Sequence, residues 1–355
     1  MFSLRLLVLF ALLPGFAMAQ DALHVEGNKI FYGNQEVLLQ GVAVGDPLIA
    51  RKDRPLSDYG LMASDWNANV VRISIHPGTW RDYGRKQTME LLRSNVKAAL
   101  DSGMFVIIVW QAIGVPDAYM QPAPDHTSVD DLYDTNFELA KDFWRQVAQE
   151  FGKDGRIMFE LWNEPALPEM EDGTQIEPHW GELKPMWQQL VGLVRHYSDN
   201  IVILTSNGWG YNLRGIREDP IDDANTAYAW HVYAGTDGND PALWEQNLDG
   251  IYFTKPIIVT EWGFDPDDGR KTSGTADGFG YLFADTFIRD KHLHHTAWCW
   301  HPVWTPPMLE SDWVTPTAFG IFVKAILWRA PAPLVRPPVD VPVVAPAAAD
   351  VNLGD

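Results

Sequence analysis

Short runs of Val, Ile and Leu recur along the chain, separated by longer stretches with helical periodicity. Eight such runs stand out, at 37–42, 70–75, 105–110, 157–161, 201–204, 227–231, 257–260 and 296–300. Near-continuous apolar runs of this length are the mark of strands covered on both faces of a parallel sheet. Between them, 86–102 reads as a helix stopped at Gly103, and 135–151 as one stopped at Gly152. The segments 184–197, 278–291 and 316–327 follow the same logic, with Pro316 tolerated in a first turn. The alternation predicts an α/β protein, a (β/α)8 TIM barrel, because an open doubly wound sheet would leave two strands over.

Both ends depart from this pattern. Residues 1–19 combine a short basic start, an apolar run from Leu6 to Leu13 and the small-x-small sequence Ala17-Met18-Ala19. That is the form of a cleavable signal peptide, cut after Ala19, and its apolar run is too short to span a bilayer. A short N-terminal β-hairpin is expected around Gly27-Asn28, plugging the bottom of the barrel. The barrel itself takes residues 20–329, and 330–355 form a Pro/Ala-rich tail, extended or disordered. The protein is therefore expected to be secreted or periplasmic, without a membrane anchor once the signal is removed.

Composition narrows the partners. A formal charge of −20 repels nucleic acid and anionic membrane, where binding needs Lys and Arg against phosphate. A 355-residue chain that is 46% hydrophobic buries a core large enough to need no disulfide. Its single cysteine, Cys299, lies in an apolar run and reads as an inert buried thiol. Most of the 16 tryptophans read as structural, but several fall just past strand ends, where an indole face can stack on a sugar ring.

Polar residues at the C-terminal ends of the runs form a set, and that end is where parallel barrels keep their chemistry. Arg72 lies in the second run and Gln111 ends the third. Asn163 and Glu164 end the fourth, Asn207 and Trp209 follow the fifth, and His231 and Tyr233 end the sixth. Glu261 ends the seventh, and Trp298 and Trp300 lie in the eighth. Two strand-end glutamates facing one cleft are the minimum apparatus of a retaining glycosidase. The segments VVRISI, LWNEP, WHVY, VTEWG and AWCWHP, taken in this order, resemble glycoside hydrolase family 5, the cellulase and endoglucanase-like barrels of clan A.

The resemblance implies a role for each matching residue. Glu164 would be the general acid/base and Glu261 the nucleophile. Arg72 and Tyr233 would keep Glu261 ionised, Asn163 would bind the sugar 2-hydroxyl, and His231 would line the site near the acid/base. Trp298 would be the stacking floor, with Gln111, Trp209 and Trp300 as further substrate-binding positions and Trp304 between packing and platform. Two carboxyls about 5 Å apart resist ionising together, which raises the acid's pKa. Glu160 alternates away from the catalytic face, towards the barrel interior or a salt bridge. In the family the third strand commonly ends in histidine, where this chain has Gln111, a hydroxyl binder that carries no proton charge.

His292, His294 and His295 have the look of a metal cluster, but they lie at a helix end without a carboxylate at ligand spacing, so no metal site is expected there. The expectation is a monomeric retaining endo-β-glycosidase that needs no cofactor and takes a polysaccharide or oligosaccharide substrate, β-1,4-glucan first. A β-mannanase or an exopolysaccharide-trimming hydrolase of the same fold is the alternative. From another class, a carbohydrate-binding pseudoenzyme also accommodates Gln111. A barrel isomerase or aldolase lacks its phosphate-binding Gly-rich loop here. Long segments at 117–134 and 166–182 are expected to wall the groove.

Overall fold

Covering strands on both faces requires a closed sheet with helices outside, and the chain folds that way. The computed structural model describes residues 21–50, 54–124, 127–168, 179–269, 271–329 and 334–339. The barrel strands are β1 (Gln40–Val44), β2 (Val70–Ile75), β3 (Phe105–Trp110), β4 (Ile157–Glu160), β5 (Val202–Leu204), β6 (Thr226–Tyr233), β7 (Ile257–Gly263) and β8 (His294–Ala297). Each pairs in parallel with its sequence neighbours and β8 returns to β1, which closes the barrel. Around it lie α1 (Asp58–Ser64), α2 (Pro77–Asp101), α3 (Phe137–Phe151), α4 (Trp180–Arg195), α5 (Pro241–Leu248) and α6 (Ala318–Leu327). Between β7 and β8, residues 276–289 form one helical stretch, largely in π-helical turns.

Period-two alternation divides each strand between helix layer and barrel interior. Val71, Ile73, Ile108, Phe159 and Val259 pack outward into the main core beneath the helices. Val70, Ile107, Met158, Ile203, Ala229 and Ile258 point inward and form an apolar floor with Leu23, Ile30 and Tyr32 of the N-terminal sheet. The expected hairpin (Leu23–Glu26 and Lys29–Tyr32) therefore plugs the barrel bottom, extended by a short third strand at Gln35–Glu36. Two residues up the strands the inward positions turn polar: Arg72, Glu160, His231 and Thr260 are all buried. Polar groups inside a barrel need partners, and this layer supplies them to one another.

Many tryptophans are accounted for here. Trp144 donates its indole N–H to Leu161 O at 2.9 Å, Trp187 to Thr205 O at 2.9 Å, and Trp162 to Gly114 O at 3.0 Å. Each ties the outer layer to a backbone carbonyl near a strand's C-terminal end, a role that needs both a large apolar body and a donor.

Several boundaries differ from expectation. The first and eighth strands are Gln40–Val44 and His294–Ala297, because the ladder pairs His295 with Gln40 and Ala297 with Val42. Past Ala297 the chain leaves this ladder and crosses towards β1, with Trp300 N bonded to Ala43 O at 2.9 Å. Helix α2 begins at Pro77 and breaks its helical geometry at Gly84 (φ 78°). Pro316 is outside α6: it pairs with Leu309, and Thr317 caps the helix by accepting from Gly320 N.

Residues 1–20, with the expected export signal, and most of the 330–355 tail lie outside the described residues. Residues 334–339 run extended and bound along the barrel's N-terminal end. Val335 O accepts from Asn69 Nδ2 at 3.0 Å, Pro338 O from Arg156 at 3.1 Å, and Arg336 donates to the carbonyls of Ala63 and Ala68. No described helix is long and apolar enough to cross a membrane.

Candidate active site

Strand ends bring Arg72, Asn163, Glu164, His231, Tyr233 and Glu261 together above the polar layer. Register explains how β7 contributes two adjacent side chains to one site. It pairs Ala229 with Ile258 but His231 with Glu261, so β7 carries one extra residue there. That irregularity turns both Thr260 and Glu261 towards the interior, the usual effect of a bulge beside a site. On β6, the loop before the strand fits closely: Gly210 sits at φ +73°, and a Cβ there would lie 3.1 Å from His231 Cγ.

Arg72 is the hub. Its Nε and Nη2 donate to the two oxygens of Glu160 at 2.6 and 2.9 Å, and Nη1 donates to Glu261 Oε1 at 2.7 Å. Nη2 also donates to Asn163 Oδ1 at 2.7 Å, which orients that amide. Glu261 Oε1 accepts from Gln111 Nε2 at 3.1 Å, and Oε2 from the Tyr233 hydroxyl at 2.6 Å. His231 Nδ1 lies 2.8 Å from Glu164 Oε1, and its Nε2 lies 2.9 Å from Thr260 Oγ1. The Thr260 hydroxyl donates in turn to Glu160 Oε1 at 3.1 Å.

These partners separate the two strand-end carboxyls. Burial pushes Glu164 up, and the nearby charge of Glu261 pushes the same way, outweighing His231 and Arg72. Burial presses on Glu261 too, yet His231, Arg72, Tyr233 and Gln111 together hold it below the ordinary carboxylate range. His231 is driven against burial up to about 9 by Glu261, Glu160 and Glu164. Glu160 is held low, chiefly by Arg72 against burial. Environments that push neighbouring titratable groups apart are the signature of assigned acid and base roles.

Asn163 Nδ2 and Gln111 Oε1 are among the buried amide atoms that lack a hydrogen-bond partner in the described residues. Gln111 thus spends its donor on Glu261 and keeps its acceptor free, so its place is beside the carboxylate. Trp298 is half-buried and lies parallel to Trp304, with ring centroids 6.1 Å apart and planes 12° apart. Gly45 permits that arrangement, because a Cβ there would come within 2.3 Å of the Trp304 ring. Trp209 is also half-buried, its backbone N–H bonded to Pro165 O at 3.2 Å, next to Glu164. Trp300 is a correction. Only 2% exposed, it packs edge-on to Trp66 and donates to Asp58 Oδ2 at 3.0 Å, so it belongs to the core and not to a substrate platform.

The histidines near β8 are likewise no cluster. His292 is exposed in a left-handed turn (φ 54°), while His294 and His295 are successive residues of β8 and point to opposite faces. His294 Nδ1 accepts from Leu39 N at 3.1 Å and His295 Nδ1 from Trp262 Nε1 at 3.3 Å. Burial lowers His294 to about 4; burial and its neighbour lower His295 to about 3. The unfolded chain takes up these protons near pH 6.5 and the folded chain does not, so stability falls as pH drops from about 6.5 towards 4. Urea unfolding midpoints measured from pH 7 to pH 4 check this. The His295→Gln variant loses one of the two linked protons and is expected to show a shallower fall.

Sequence reading did not single out Thr260, Tyr133 or the pair Asp46–His76. Thr260 could have been found by alternation, two residues beyond inward-facing Ile258. Tyr133 comes from the long segment after β3, where no periodicity marks orientation; burial and the charges of Glu164 and Glu261 push its phenol up. Asp46 Oδ2 accepts from the His76 backbone N–H at 2.8 Å and from Thr79 Oγ1 at 2.6 Å, at the start of α2. Cys299 is a free, buried thiol, raised well above its usual range by burial and by Glu261, and therefore unreactive.

Comparison with known proteins decides the family. Residues 33–303 match the model of cellulase, glycosyl hydrolase family 5. The chain belongs to glycosyl hydrolase family 5. Among family relatives, it is 25% identical over 253 residues to cellulase CelDZ1 of Thermoanaerobacterium sp., covering 68% of this chain and 58% of the relative. It is 24% identical over 288 residues to endoglucanase Z of Dickeya dadantii, covering 78% and 59%. The chain thus spans under two thirds of the length of these relatives. A β-glucanase from Saccharophagus degradans, solved in complex with cellotetraose, superposes with a TM-score of 0.77 at 25% identity over 87% of this chain and 93% of that one. Membership in a glycoside hydrolase family agrees with the closed eight-stranded barrel.

Proposed function

We propose that this family 5 barrel is a retaining endo-β-glycosidase that hydrolyses a β-linked glucan by double displacement. The observation that carries the reading is a distance. One carboxyl oxygen of Glu164, one ring nitrogen of His231 and one carboxyl oxygen of Glu261 all lie within 4.8 Å of one another, so the two carboxyls approach each other closely. Retaining enzymes hold theirs about 5–5.5 Å apart, whereas inverting enzymes need about 6.5–9.5 Å to admit a water.

In this reading Glu261, ionised by Arg72, Tyr233 and Gln111, attacks the anomeric carbon. Glu164, kept protonated by burial and by Glu261, gives its proton to the leaving oxygen. With its nucleophilic neighbour esterified, Glu164 then takes a proton from the incoming water. Asn163 would donate to the 2-hydroxyl: its Nδ2 has no partner among the described residues, and its amide is held by the bond from Arg72 to Oδ1. Trp298 supplies the apolar floor. The β-glucanase relative that binds cellotetraose supports β-1,4-glucan as the substrate, and the 1–19 segment supports export. A binding-only barrel is not favoured, because it needs no ionised carboxylate opposite a protonated one.

The test is reducing-end release from carboxymethyl-cellulose, mixed-linkage glucan, mannan and xylan, followed by NMR of the first-formed anomer. Release of β-anomer from a glucan is expected. Release of α-anomer would overturn the retaining mechanism, and release from mannan alone would overturn the glucan assignment.

A further inference from the structure

We propose that Thr260 and Glu160 are positioning residues that hold His231 as a doubly protonated imidazolium, so that the site stays neutral while negative charge moves between the two catalytic carboxyls. This rests on the reading of Glu164 as acid/base and Glu261 as nucleophile. Neither Thr260 nor Glu160 touches the reacting atoms.

Glu160 is fully buried, and both its oxygens accept from Arg72 at 2.6 and 2.9 Å, so it is ionised and has no proton to give. The Thr260 hydroxyl, 3.1 Å from Glu160 Oε1, must therefore donate to it. A hydroxyl has one hydrogen. Its oxygen, 2.9 Å from His231 Nε2, can then only accept, so Nε2 carries a proton. The tautomer of a histidine is set by the bond its other nitrogen makes, and here that leaves Nδ1 facing Glu164 Oε1 at 2.8 Å.

Charge counting gives the purpose. The charged and titratable groups facing His231 are Glu160 and Glu164 at 3.9 and 2.8 Å and Glu261 at 3.9 Å, with Arg72, Tyr233 and Tyr133 beyond them. With His231 cationic and Glu164 protonated, Arg72 and His231 balance Glu160 and Glu261. In the first step the Glu164 O–H bond breaks and its proton goes to the glycosidic oxygen. The C1–O bond breaks with its electron pair to that oxygen, and Glu261 forms a bond to C1. Glu261 is then a neutral ester and Glu164 a carboxylate, which accepts from the imidazolium Nδ1–H. The two cations again face two carboxylates. A neutral His231 would instead accept from the Glu164 hydroxyl, stabilise the protonated acid, and leave the covalent intermediate with an uncompensated negative charge.

The test compares Thr260→Val, Thr260→Ser and Glu160→Gln with the parent. Thr260→Val removes the relay without breaking the Arg72–Glu160 pair, and Thr260→Ser restores the hydroxyl. On cellotetraose, Thr260→Val is expected to lose about tenfold in kcat/KM, below the full worth of a general acid, with a smaller loss on an aryl cellobioside whose leaving group needs no proton. The alkaline limb of its pH profile moves up by roughly half a unit to one unit as Glu164 becomes a weaker acid. Thr260→Ser recovers both, and Glu160→Gln is expected to leave His231 with a single protonated nitrogen, as in Thr260→Val. A Thr260→Val profile and leaving-group dependence that match the parent would overturn the proposal, as would a Ser variant as impaired as Val.

Imidazole 15N NMR keeps this separate from the glycosidase reading. At pH 7 the His231 resonance, assigned by its loss in His231→Gln, is expected to show both nitrogens protonated in the parent and one in Thr260→Val. An unprotonated Nε2 in the parent overturns the relay even if the enzyme is active. Both nitrogens protonated in a parent that cleaves no glycoside would uphold the imidazolium and sink the catalytic reading alone.

Discussion

Replacing Glu261 with Gln is expected to lower kcat/KM on cello-oligosaccharides by about 10⁴-fold or more, the scale on which covalent catalysis fails when its nucleophile is removed. The isosteric amide keeps the volume and can still meet Tyr233, so folding should be little affected. Arg72 would lose one of its two carboxylate partners and retain Glu160, whose two oxygens it already holds. The loss should therefore lie in turnover and not in substrate affinity, because Asn163 Nδ2 and Trp298 are unchanged. Steady-state kinetics on cellotetraose, with calorimetric titration of the same ligand, reads both. Turnover within tenfold of the parent would remove Glu261 from the nucleophile's role. An activated 2-fluoro-cellobioside provides a direct check, since it should glycosylate the parent at Glu261, with loss of its leaving group, and leave the variant unmodified by mass spectrometry.

Arg72→Met is expected to be the most destabilising single change at the site, by about 3–5 kcal/mol at pH 7, the cost of stranding a buried partner after its counter-charge is removed. Two carboxylates lose their cation together: Glu160 is fully buried and Glu261 is 4% exposed. The pH dependence has a definite sign. In the parent both groups are held below their ordinary value, so Arg72 contributes stability above about pH 4.5 that is lost as pH falls through the lowered folded values. In the variant, burial without Arg72 raises them instead, and they take up protons on acidification. The stability gap between parent and variant should therefore narrow from pH 7 to pH 4. Urea unfolding at both pH values measures it, and a gap that is constant or widens would mean that the cost lies in packing and not in charge.

Both predictions concern residues that could be named from the chain itself, and this shows which kinds of information are local. Strand existence was legible because parallel strands are apolar on both faces, and every one of the eight runs became a barrel strand. The pairing of Arg72 with Glu261 was implied by the resemblance of VVRISI and VTEWG to the family, and the structure has it at 2.7 Å. Strand ends were less legible. The eighth strand is set by its ladder to β1, a partner some 250 residues away, and nothing within 294–300 marks where that ladder stops. Trp300 shows the same limit. Its distance past a strand end matched that of a platform residue, yet the chain's turn towards β1 aimed it at Asp58 and Trp66.

The sequence by itself determined the eight-fold alternation, the floor hairpin and the strand-end set around Glu164 and Glu261, because each follows from periodicity or from adjacency along one strand. Only the tertiary structure decided how those groups are wired. The extra residue on β7 that turns Thr260 and Glu261 inward together, the donation from Gln111 to Glu261, and the path from Glu164 through His231 and Thr260 to Glu160 all depend on register between strands. Register is fixed by the closure of the whole barrel, and a hydrogen bond exists or vanishes over a fraction of an ångström. No local pattern carries that information.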